Sequence, residues 1–384
     1  MRAHWEAKPL SDVCEILDSR RRPVTKKDRR AGEYPYYGAT GIVDYVDEFI
    51  FDEPLVLVGE DGAKWGSGEG TAFSVDGRCW VNNHAHVLRP IRAKLLDDWL
   101  VYYLVHEDLS PFVSGLTVPK LNQGNLREIP VPLPPLAEQR RIVAILDEAF
   151  EAIATAKANT EKNLQNAREV FATHREAVFA VHNGHVKTER LGKFARFRNG
   201  INYTKRSSGR TVLIIGVKDF QNHFWAPLDD LDHVTLDGDL SAVDTVMEGD
   251  ILTVRSNGNP ELIGRCMVVG KLSEQVAHSG FTIRMTVDSA TALPAYVCQF
   301  MRTRAVRRAL IDGGTGLNIK SLNQGMLSDI VVPLPTLSTQ EVVVAKIEAM
   351  TSQTACLAEV DLRKLAALDE LKRSLLHPAF TGAL

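Results

Sequence analysis

The chain contains one long segment twice, and this internal repeat restricts its fold more than any other feature of the sequence. Residues 121–146, LNQGNLREIPVPLPPLAEQRRIVAIL, align without a gap with residues 322–347, LNQGMLSDIVVPLPTLSTQEVVVAKI, and 14 of the 26 positions are identical. Average residue frequencies would give roughly one or two matches. The copies start 201 positions apart. That period is too long for a solenoid repeat and indicates a whole domain with its connector, present twice.

The bulk properties of the chain agree with this interpretation. A length of 384 residues suits two domains of about 150 residues joined by helical connectors. The sequence has neither an apolar run long enough to span a membrane nor a signal-peptide core near its start, which predicts a cytoplasmic protein. The five cysteines include no CxxC pair, which argues against a zinc module or a disulfide framework.

Both halves of the chain follow one order of segments. Residues 1–135 and 184–336 contain short β-like runs between loops and are expected to form two similar mixed α/β domains. Each domain ends in a proline-rich stretch, which predicts an edge or polyproline-like strand because proline cannot donate to a sheet. Helical connector segments follow, over 136–183 and 337–384. In the second, Ser338 and Glu341 have capping-box spacing, and the helix is expected to stop before Pro378.

The connector helices are expected to pair with each other. Apolar residues recur at three- and four-residue spacing from Val143 onwards, and a long amphipathic helix cannot bury such a stripe alone. The first helix leads from one domain to the other, so the second must run back to lie beside it. The predicted fold class is therefore α+β, with two similar domains separated by an antiparallel coiled-coil pair in pseudo-twofold relation. Pairing with another chain, or folding back onto the domains, are the alternatives.

Charge is segregated along the chain although the net charge is only −3. Residues 20–30 hold seven basic groups and one acid, and residues 187–210 hold eight basic groups against Glu189. Residues 228–250 hold eight acids and no Lys or Arg. One basic segment near the start of each half favours two anion-facing surfaces, with solvated faces as the alternative. Two similar surfaces at a fixed distance suit B-DNA, whose major-groove faces recur about every 34–36 Å.

The order of these segments resembles the DNA specificity subunit of type I restriction–modification systems over essentially the whole chain. The junctions PLPPLAEQRRIVAILDEAF and PLPTLSTQEVVVAKIEAM carry the resemblance, with YYGATGIVDYV, WVNNHAHVL and GDILTVRSNGNPELIGR in support. The resemblance implies that each domain is a target recognition domain for one half of a bipartite, asymmetric DNA site. It implies that the helix pair is a ruler for the spacer between the halves.

The resemblance also implies the partners. The chain would scaffold two adenine DNA methyltransferase (modification) subunits, which use S-adenosylmethionine. Translocase–endonuclease (restriction) subunits, which use ATP and Mg²⁺, would complete the complex. The chain itself would bind no cofactor or metal and would not be an enzyme. In agreement, the sequence has no Asn-Pro-Pro-aromatic methylation motif, no GxGxxG after a strand and no GxxxxGK[ST] phosphate loop.

Candidate DNA-binding residues in the first half fall into three groups. The basic loop suits phosphate contacts, which position a protein without reading sequence. Two glycine-framed stretches offer close backbone approach and aromatic faces, or else are tight turns on a sheet rim. Asparagine pairs well with adenine edges, which singles out the WVNNHAH stretch; a metal pair of His84 and His86 in a nuclease is the weaker alternative. The candidates are Arg20, Arg21, Arg22, Lys26, Lys27, Tyr36, Tyr37, Gly38, Thr40, Lys64, Trp65, Asn82, Asn83 and His84.

Candidates in the second half lie on three loops, FRNGINYTKR, GVKDFQN and RSNGN, of which the last follows a β-like run. They are Arg198, Asn199, Tyr203, Lys205, Arg206, Lys218, Gln221, Arg255, Ser256, Asn257 and Asn259. A helical basic face, Arg302, Arg304, Arg307 and Arg308, is expected either to contact phosphate or to be solvated. The alternative to a DNA-binding function is an interaction scaffold whose duplicated domains bind proteins and no DNA.

Overall fold

The chain folds into two compact units, each built from a discontinuous set of residues. The computed structural model describes residues 5–115, 117–180, 186–204, 206–221, 223–314, 320–381 and 383–384. Unit 1 comprises Met1–Lys162 with Asp361–Leu384, and unit 2 comprises Asn163–Val360. Each unit therefore includes part of both long helices. Within the described residues, no helix combines the length and apolar character that crossing a membrane requires.

Unit 1 contains two four-stranded sheets, in the orders β2-β9-β6-β7 and β4-β3-β8-β5, and an antiparallel pair of β1 with β10. Its elements up to the first long helix are β1 Ala7–Pro9, β2 Cys14–Ile16, β3 Ala31–Gly38, β4 Gly41–Val46, β5 Phe51–Asp52, β6 Leu55–Gly59, β7 Ala72–Val75, β8 Arg78–Val81, β9 Ala85–Pro90, α1 Asp97–His106, α2 Gln123–Arg127 and β10 Pro130–Pro132. The first long helix, α3, spans Leu136–Ala180.

Unit 2 repeats this plan with a four-stranded sheet β12-β19-β15-β17, a three-stranded sheet β14-β13-β18, and the pairs β11–β21 and β16–β20. Its elements are β11 Thr188–Arg190, β12 Ala195–Asn199, β13 Thr211–Ile215, β14 Asp232–Thr235, β15 Ile251–Val254, β16 Ser256–Asn257, β17 Cys266–Val268, β18 Val276–His278, β19 Thr282–Val287, α4 Pro294–Met301, α5 Arg304–Gly313, β20 Lys320–Ser321, α6 Gln324–Ser328 and β21 Val331–Pro333. The second long helix, α7, spans Leu337–Thr381.

Hydrogen bonds show that the two units share one framework. The Leu121 N–H donates to the carbonyl of Glu60 at 2.9 Å, and the Leu322 N–H donates to the carbonyl of Arg255 at 2.8 Å. Both carbonyls follow the central strand of the four-stranded sheet, β6 or β15, in which every residue is buried. Each proline-rich stretch forms one strand of a two-stranded pair. The α+β fold class predicted from the repeat is confirmed.

One repeated glutamine fixes the start of each long helix to its unit. Gln139 is fully buried; its Oε1 accepts from Leu96 N at 2.9 Å, and its Nε2 donates to the carbonyls of Lys94 (2.8 Å) and Pro134 (2.9 Å). Gln340 makes the same set, accepting from Leu293 N at 2.8 Å and donating to the carbonyls of Thr291 (3.3 Å) and Pro335 (2.9 Å). A buried amide with all three partners explains why glutamine recurs at this position of the repeat.

Within unit 1, the segments of α3 and α7 lie against each other and run in opposite directions. Arg141 Nη2 donates to the carbonyl of Leu384 at 2.9 Å, and Lys157 Nζ lies 2.7 Å from Asp369 Oδ1. Between these contacts, the Lys372 ammonium lies 5.0 Å from the centroid of the Phe150 ring. Numbers rise along α3 as they fall along α7, as an antiparallel pair requires.

Two expectations about the second helix were wrong. Pro378 lies inside α7, which continues to Thr381. Ala379 is fully buried and the Phe380 ring packs edge-on against Trp99 at 4.8 Å, so the tertiary packing holds the last turn despite the lost N–H. Ser338 lies within the first turn; the Thr339 N–H instead donates to Thr336 Oγ1 at 3.3 Å, which makes Thr336 the capping side chain.

Candidate nucleic-acid interface

The loops at the end of β6 and before β9 come together at one rim of unit 1. The Glu60 N–H donates to the carbonyl of His84 at 2.8 Å, which ties the two loops by their backbones. The Asn82 side chain is buried, and its Oδ1 accepts from the His84 N–H at 2.7 Å. The exposed His84 ring faces Asp61, with Nδ1 and Oδ1 2.5 Å apart. Asn82 therefore shapes this loop, while Asn83 and His84 are exposed on it.

A buried charged cluster lies under this rim. His86 is fully buried; its Nδ1 lies 2.6 Å from Asp18 Oδ2, and its Nε2 lies 2.7 Å from the carbonyl of Leu121. Since a backbone carbonyl only accepts, Nε2 carries a proton. Arg21 contacts both Asp18 and Glu60, and Lys120 Nζ lies 2.8 Å from Glu60 Oε1. The cluster joins the basic loop, the end of β6 and the segment that leads to α3.

Both carboxylates of the cluster are held in their ionised form. Burial alone would raise the pKa of Asp18, but the hydrogen bonds from His86 and the Val87 N–H, with the charge of Arg21, hold that pKa below its ordinary value. Burial opposes ionisation of Glu60 as well, and hydrogen bonds from Lys120 and Arg21 lower its pKa. The oxygens of Asp18 and Glu60 and a His86 nitrogen are close enough to hold a metal ion. The cations already bonded to these carboxylates make the group a charge network instead.

The structure separates the candidates of the first half into exposed and buried groups. Tyr36 and Trp65 are 1% and 9% exposed, so neither presents the open aromatic face expected from the sequence. The Tyr36 hydroxyl accepts from Val24 N at 2.9 Å and the Trp65 Nε1 donates to the carbonyl of Gly59 at 3.0 Å. Arg21, Gly38 and Asn82 are likewise tied into the fold, and Tyr37 is half-buried. The exposed candidates are Arg20, Arg22, Lys26, Lys27, Thr40, Lys64, Asn83 and His84.

Candidates of the second half lie mostly on exposed loops. Ser256 and Asn257 form the short strand β16. The half-buried Arg255 connects β16 to the buried strand β15. Asn259 caps the following turn. The remaining exposed candidates are Arg198, Asn199, Tyr203, Arg206, Lys218 and Gln221. Lys205 lies outside the described residues.

Two of these basic groups are paired with the acidic stretch that precedes β15. Arg198 Nε lies 2.6 Å from Asp244 Oδ1, and Lys218 Nζ lies 2.8 Å from Asp232 Oδ1. The opposite charges of residues 187–218 and 228–250 thus meet in the fold, which the linear charge pattern did not indicate.

Sequence reasoning missed several residues of the rim in unit 1. The Arg29 guanidinium lies 4.3 Å from the Tyr36 ring centroid and 3.0 Å from Asp44. Strand β4 exposes Ile42, Val43 and Tyr45, about half of each surface being accessible. The sequence pattern indicated glycine-framed turns here, and the candidates included no residue of β4.

Comparison with known proteins agrees with this arrangement. The family described as type I restriction modification DNA specificity domain matches residues 3–166. A putative type I restriction enzyme specificity subunit of Haemophilus influenzae is 39% identical over 142 residues, which are 37% of this chain and 36% of that protein. The EcoKI specificity subunit of Escherichia coli is 24% identical over 428 aligned positions, covering 99% of this chain and 89% of the relative.

The likeness extends to solved structures. A chain from a structure of type I restriction–modification complex assembly matches with a TM-score of 0.73 at 17% identity, with full coverage of both chains. The HsdS subunit of Thermoanaerobacter tengcongensis matches with a TM-score of 0.55 at 18% identity. The fold is therefore similar to that of solved chains from type I restriction–modification systems. The sequence is similar to type I DNA specificity subunits, through the domain match over residues 3–166 and through the full-length EcoKI relative.

Proposed function

We propose that the chain reads a bipartite, asymmetric DNA site, with one half-site bound by each unit. The observation that carries the proposal is the shared framework with different side chains at equivalent rim positions. Glu60 of unit 1 corresponds to Arg255 of unit 2, because each carbonyl accepts from the leucine of the repeated LNQG motif. His84 corresponds to Phe281 in the same way, since each carbonyl accepts from the N–H of that Glu or Arg. One backbone that carries different side chains at equivalent positions suits two half-sites of different sequence.

The exposed basic groups supply the electrostatic part of binding. Arg22, Lys26 and Lys27 are exposed on the basic segment whose Arg21 contacts Glu60. Phosphate neutralisation by such groups makes affinity strongly salt-dependent. Base choice then depends on the rim side chains. In unit 2, Arg198 and Lys218 must leave Asp244 and Asp232 before they can bind a phosphate. Breaking these ion pairs lowers the affinity of that unit for DNA.

The long helices act as the ruler between the half-sites in this proposal. Each has 45 residues, a length of about 65–70 Å at 1.5 Å per residue. That length corresponds to about two helical turns of B-DNA, whose major-groove faces recur about every 34–36 Å. Antiparallel pairing, seen within unit 1, is the arrangement that returns α7 alongside α3.

The partners follow from the repeat. The junctions around Gln139 and Gln340 share sequence and hydrogen bonds, and two equivalent junctions suit two identical adenine methyltransferase subunits. S-adenosylmethionine, ATP and Mg²⁺ would serve those subunits and the restriction subunits. The chain itself contributes recognition and no catalysis.

Exchange of domains tests the modular part of the proposal. Residues 1–135 are replaced by the corresponding domain of a related specificity subunit, and the DNA methylated by the assembled complex is sequenced. We expect one half-site to change and the other to stay. A change in both halves, or methylation without a bipartite site, would contradict the proposal.

Insertion of one heptad into each long helix tests the ruler. The tolerated spacer should lengthen while both half-site sequences stay unchanged, and an unaltered spacer would refute the ruler. The purified chain alone, given S-adenosylmethionine, ATP and Mg²⁺, should neither methylate nor cut DNA. Salt-insensitive behaviour, with no retention of DNA by the assembled complex, would favour the interaction scaffold.

A further inference from the structure

Unit 2 contains a cavity of about 220 Å³ whose wall is dominated by arginine. Arg175, Arg265, Arg302 and Arg307 line it, together with the side of Phe220 and the Cys266 thiol. Arg175 comes from α3, Arg302 follows α4, Arg307 lies on α5, and Arg265 precedes β17. Four separate segments therefore direct cations into one space. Of the basic face expected from the sequence, Arg304 and Arg308 are exposed, whereas Arg302 and Arg307 belong to this cavity.

Backbone carbonyls accept hydrogen bonds from three of the arginines. Arg265 Nη1 donates to the carbonyl of Gln221 at 2.6 Å, and Arg302 Nη1 donates to that of His223 at 2.7 Å. Arg307 Nη2 donates to the carbonyl of Glu261 at 2.8 Å. A backbone carbonyl satisfies a donor but brings no net negative charge. Four guanidinium groups that line one small cavity favour an anion there.

Arg175 carries the clearest sign of a missing anion. Its Nε is buried and has no hydrogen-bond partner among the described residues. Burial, with repulsion from Arg302, lowers the pKa of Arg175 although Glu176 acts in the opposite direction. The pKa of Arg307 is lowered for the same first reason, burial. A buried N–H without a hydrogen-bond partner is costly, and an anion in the cavity that accepted from Arg175 Nε would remove that cost.

The sister unit shows that the fold does not need these arginines. Phe179 near the end of α3 packs on Tyr296 and Phe300, just as Phe380 near the end of α7 packs on Trp99 and Tyr103.

Four residues before each of these phenylalanines, α3 carries Arg175 and α7 carries Leu376, which is buried. The N–H groups of Leu96 and Leu293 donate equivalent bonds to the side-chain oxygens of Gln139 and Gln340. Nine residues after these leucines stand Val105 and Arg302. Leucine and valine thus fill in unit 1 the positions that arginine occupies in unit 2.

We propose that this arginine cavity of unit 2 is a binding site for a phosphate group. Planar guanidinium groups bind phosphate oxygens through paired hydrogen bonds, and several of them can surround one tetrahedral anion. The volume is below that of pockets for drug-sized ligands, which suits a phosphate with little attached to it. The source of the group is either a small phosphorylated molecule or the DNA backbone; the second case alone rests on the proposed function.

The test uses the full chain and the variant Arg175→Leu, which introduces the residue of unit 1. Inorganic phosphate and ATP are titrated at constant ionic strength, and Tm and binding heat are recorded. The native chain should gain Tm with phosphate or ATP, and Arg175→Leu should lose affinity about tenfold or more, the effect of one charge-assisted bond. The control Arg168→Gln, on an exposed position of the same helix, should behave as the native chain. Arg302→Val provides a second variant with the same expectation.

DNA binding of the assembled complex distinguishes the two sources. If the phosphate belongs to DNA, Arg175→Leu should reduce the slope of log affinity against log salt by about 1, and Arg168→Gln should not. If the phosphate belongs to a small molecule, the salt slope of DNA binding should be unchanged. The loss of affinity should then appear only in the titrations with phosphate or ATP. Equal phosphate affinity and equal salt slopes in native chain and both cavity variants would overturn the proposal. A complex that binds no DNA at all would contradict the proposed function. The phosphate titration does not depend on DNA binding and would still decide whether the cavity is a phosphate site.

Discussion

Replacement of Gln139 by methionine tests whether the repeated glutamine is what fixes each long helix to its unit. Methionine has nearly the same length and volume, so the change removes the amide and keeps the packing. It leaves the Leu96 N–H without its acceptor and the carbonyls of Lys94 and Pro134 without a donor. Gln139 has no accessible surface, so water cannot replace these bonds without opening the junction.

The expected cost follows from the three lost bonds. A buried donor or acceptor left without a partner costs about 1–3 kcal/mol, and an accessible carbonyl less. Counting the Leu96 N–H fully and the two carbonyls in part, Gln139→Met should lower the free energy of unfolding by about 2–4 kcal/mol. That is a large share of the about 5–15 kcal/mol typical of a folded domain.

Urea denaturation of the full chain, followed by circular dichroism and tryptophan fluorescence, measures the effect. Gln165→Met is the matched control, since Gln165 lies exposed on the same helix and donates to Glu169 Oε1 at 2.7 Å. The control should change stability by less than about 0.5 kcal/mol. Gln340→Met should repeat the Gln139 result in unit 2. Equal midpoints for Gln139→Met and Gln165→Met would refute the reasoning.

Three further predictions concern charge. Asp18→Asn removes the carboxylate partner of His86 and Arg21 and should cost about 3–5 kcal/mol at neutral pH. Because the folded pKa of Asp18 is lowered, its contribution is present above the ordinary pKa and lost as pH falls through the folded value, so the variant should be less acid-sensitive. Burial lowers the pKa of His278 to about 4. The unfolded state then gains the proton first as pH falls from about 6.5 to 4, costing up to about 3 kcal/mol that His278→Val should abolish. Replacing Lys26 and Lys27 by glutamine should reduce the salt slope of DNA binding by about 2 without changing the half-sites.

Each of these has a measurement that would contradict it. Denaturation between about pH 2 and 5 decides the Asp18 prediction, and denaturation between about pH 4 and 7 decides the His278 prediction. Parallel curves for variant and native chain would count against either. DNA binding at several salt concentrations decides the third, with Lys162→Gln on an exposed turn of α3 as the control. A changed half-site in the lysine variant would mean that these residues contact bases.

The sequence was sufficient for the architecture because the repeat and the helical spacing are local patterns. It was insufficient where distant parts meet. Trp65 and Tyr36 stand in glycine-framed stretches typical of loops, yet both side chains are buried. Tyr36 stacks beside Trp80 of β8, and Trp65 belongs to the core cluster that contains Trp99 of α1. Helix propensity alone predicted that α7 would stop before Pro378, whereas packing of Phe380 against Trp99 extends the helix to Thr381.

The charged candidates show the same limit. Arg21 was chosen as a phosphate contact because it lies in a basic run, but Glu60, 39 residues away, holds it inside the fold. The correspondence of rim residues between the units was also hidden. Insertions shift the spacing from 201 at Leu121 and Leu322 to 195 at Glu60 and Arg255, so no ungapped alignment aligns both pairs.

The division of the long helices between the units has a consequence for biosynthesis. Leu376 and Ala379 are buried in the hydrophobic core of unit 1, although about 200 residues of unit 2 are synthesised before them. The N-terminal half of the chain therefore leaves the ribosome with an open apolar surface that its own contiguous sequence cannot cover. A nonsense or frameshift mutation near residue 361 would remove the end of α7, and it would also uncover the hydrophobic core of unit 1.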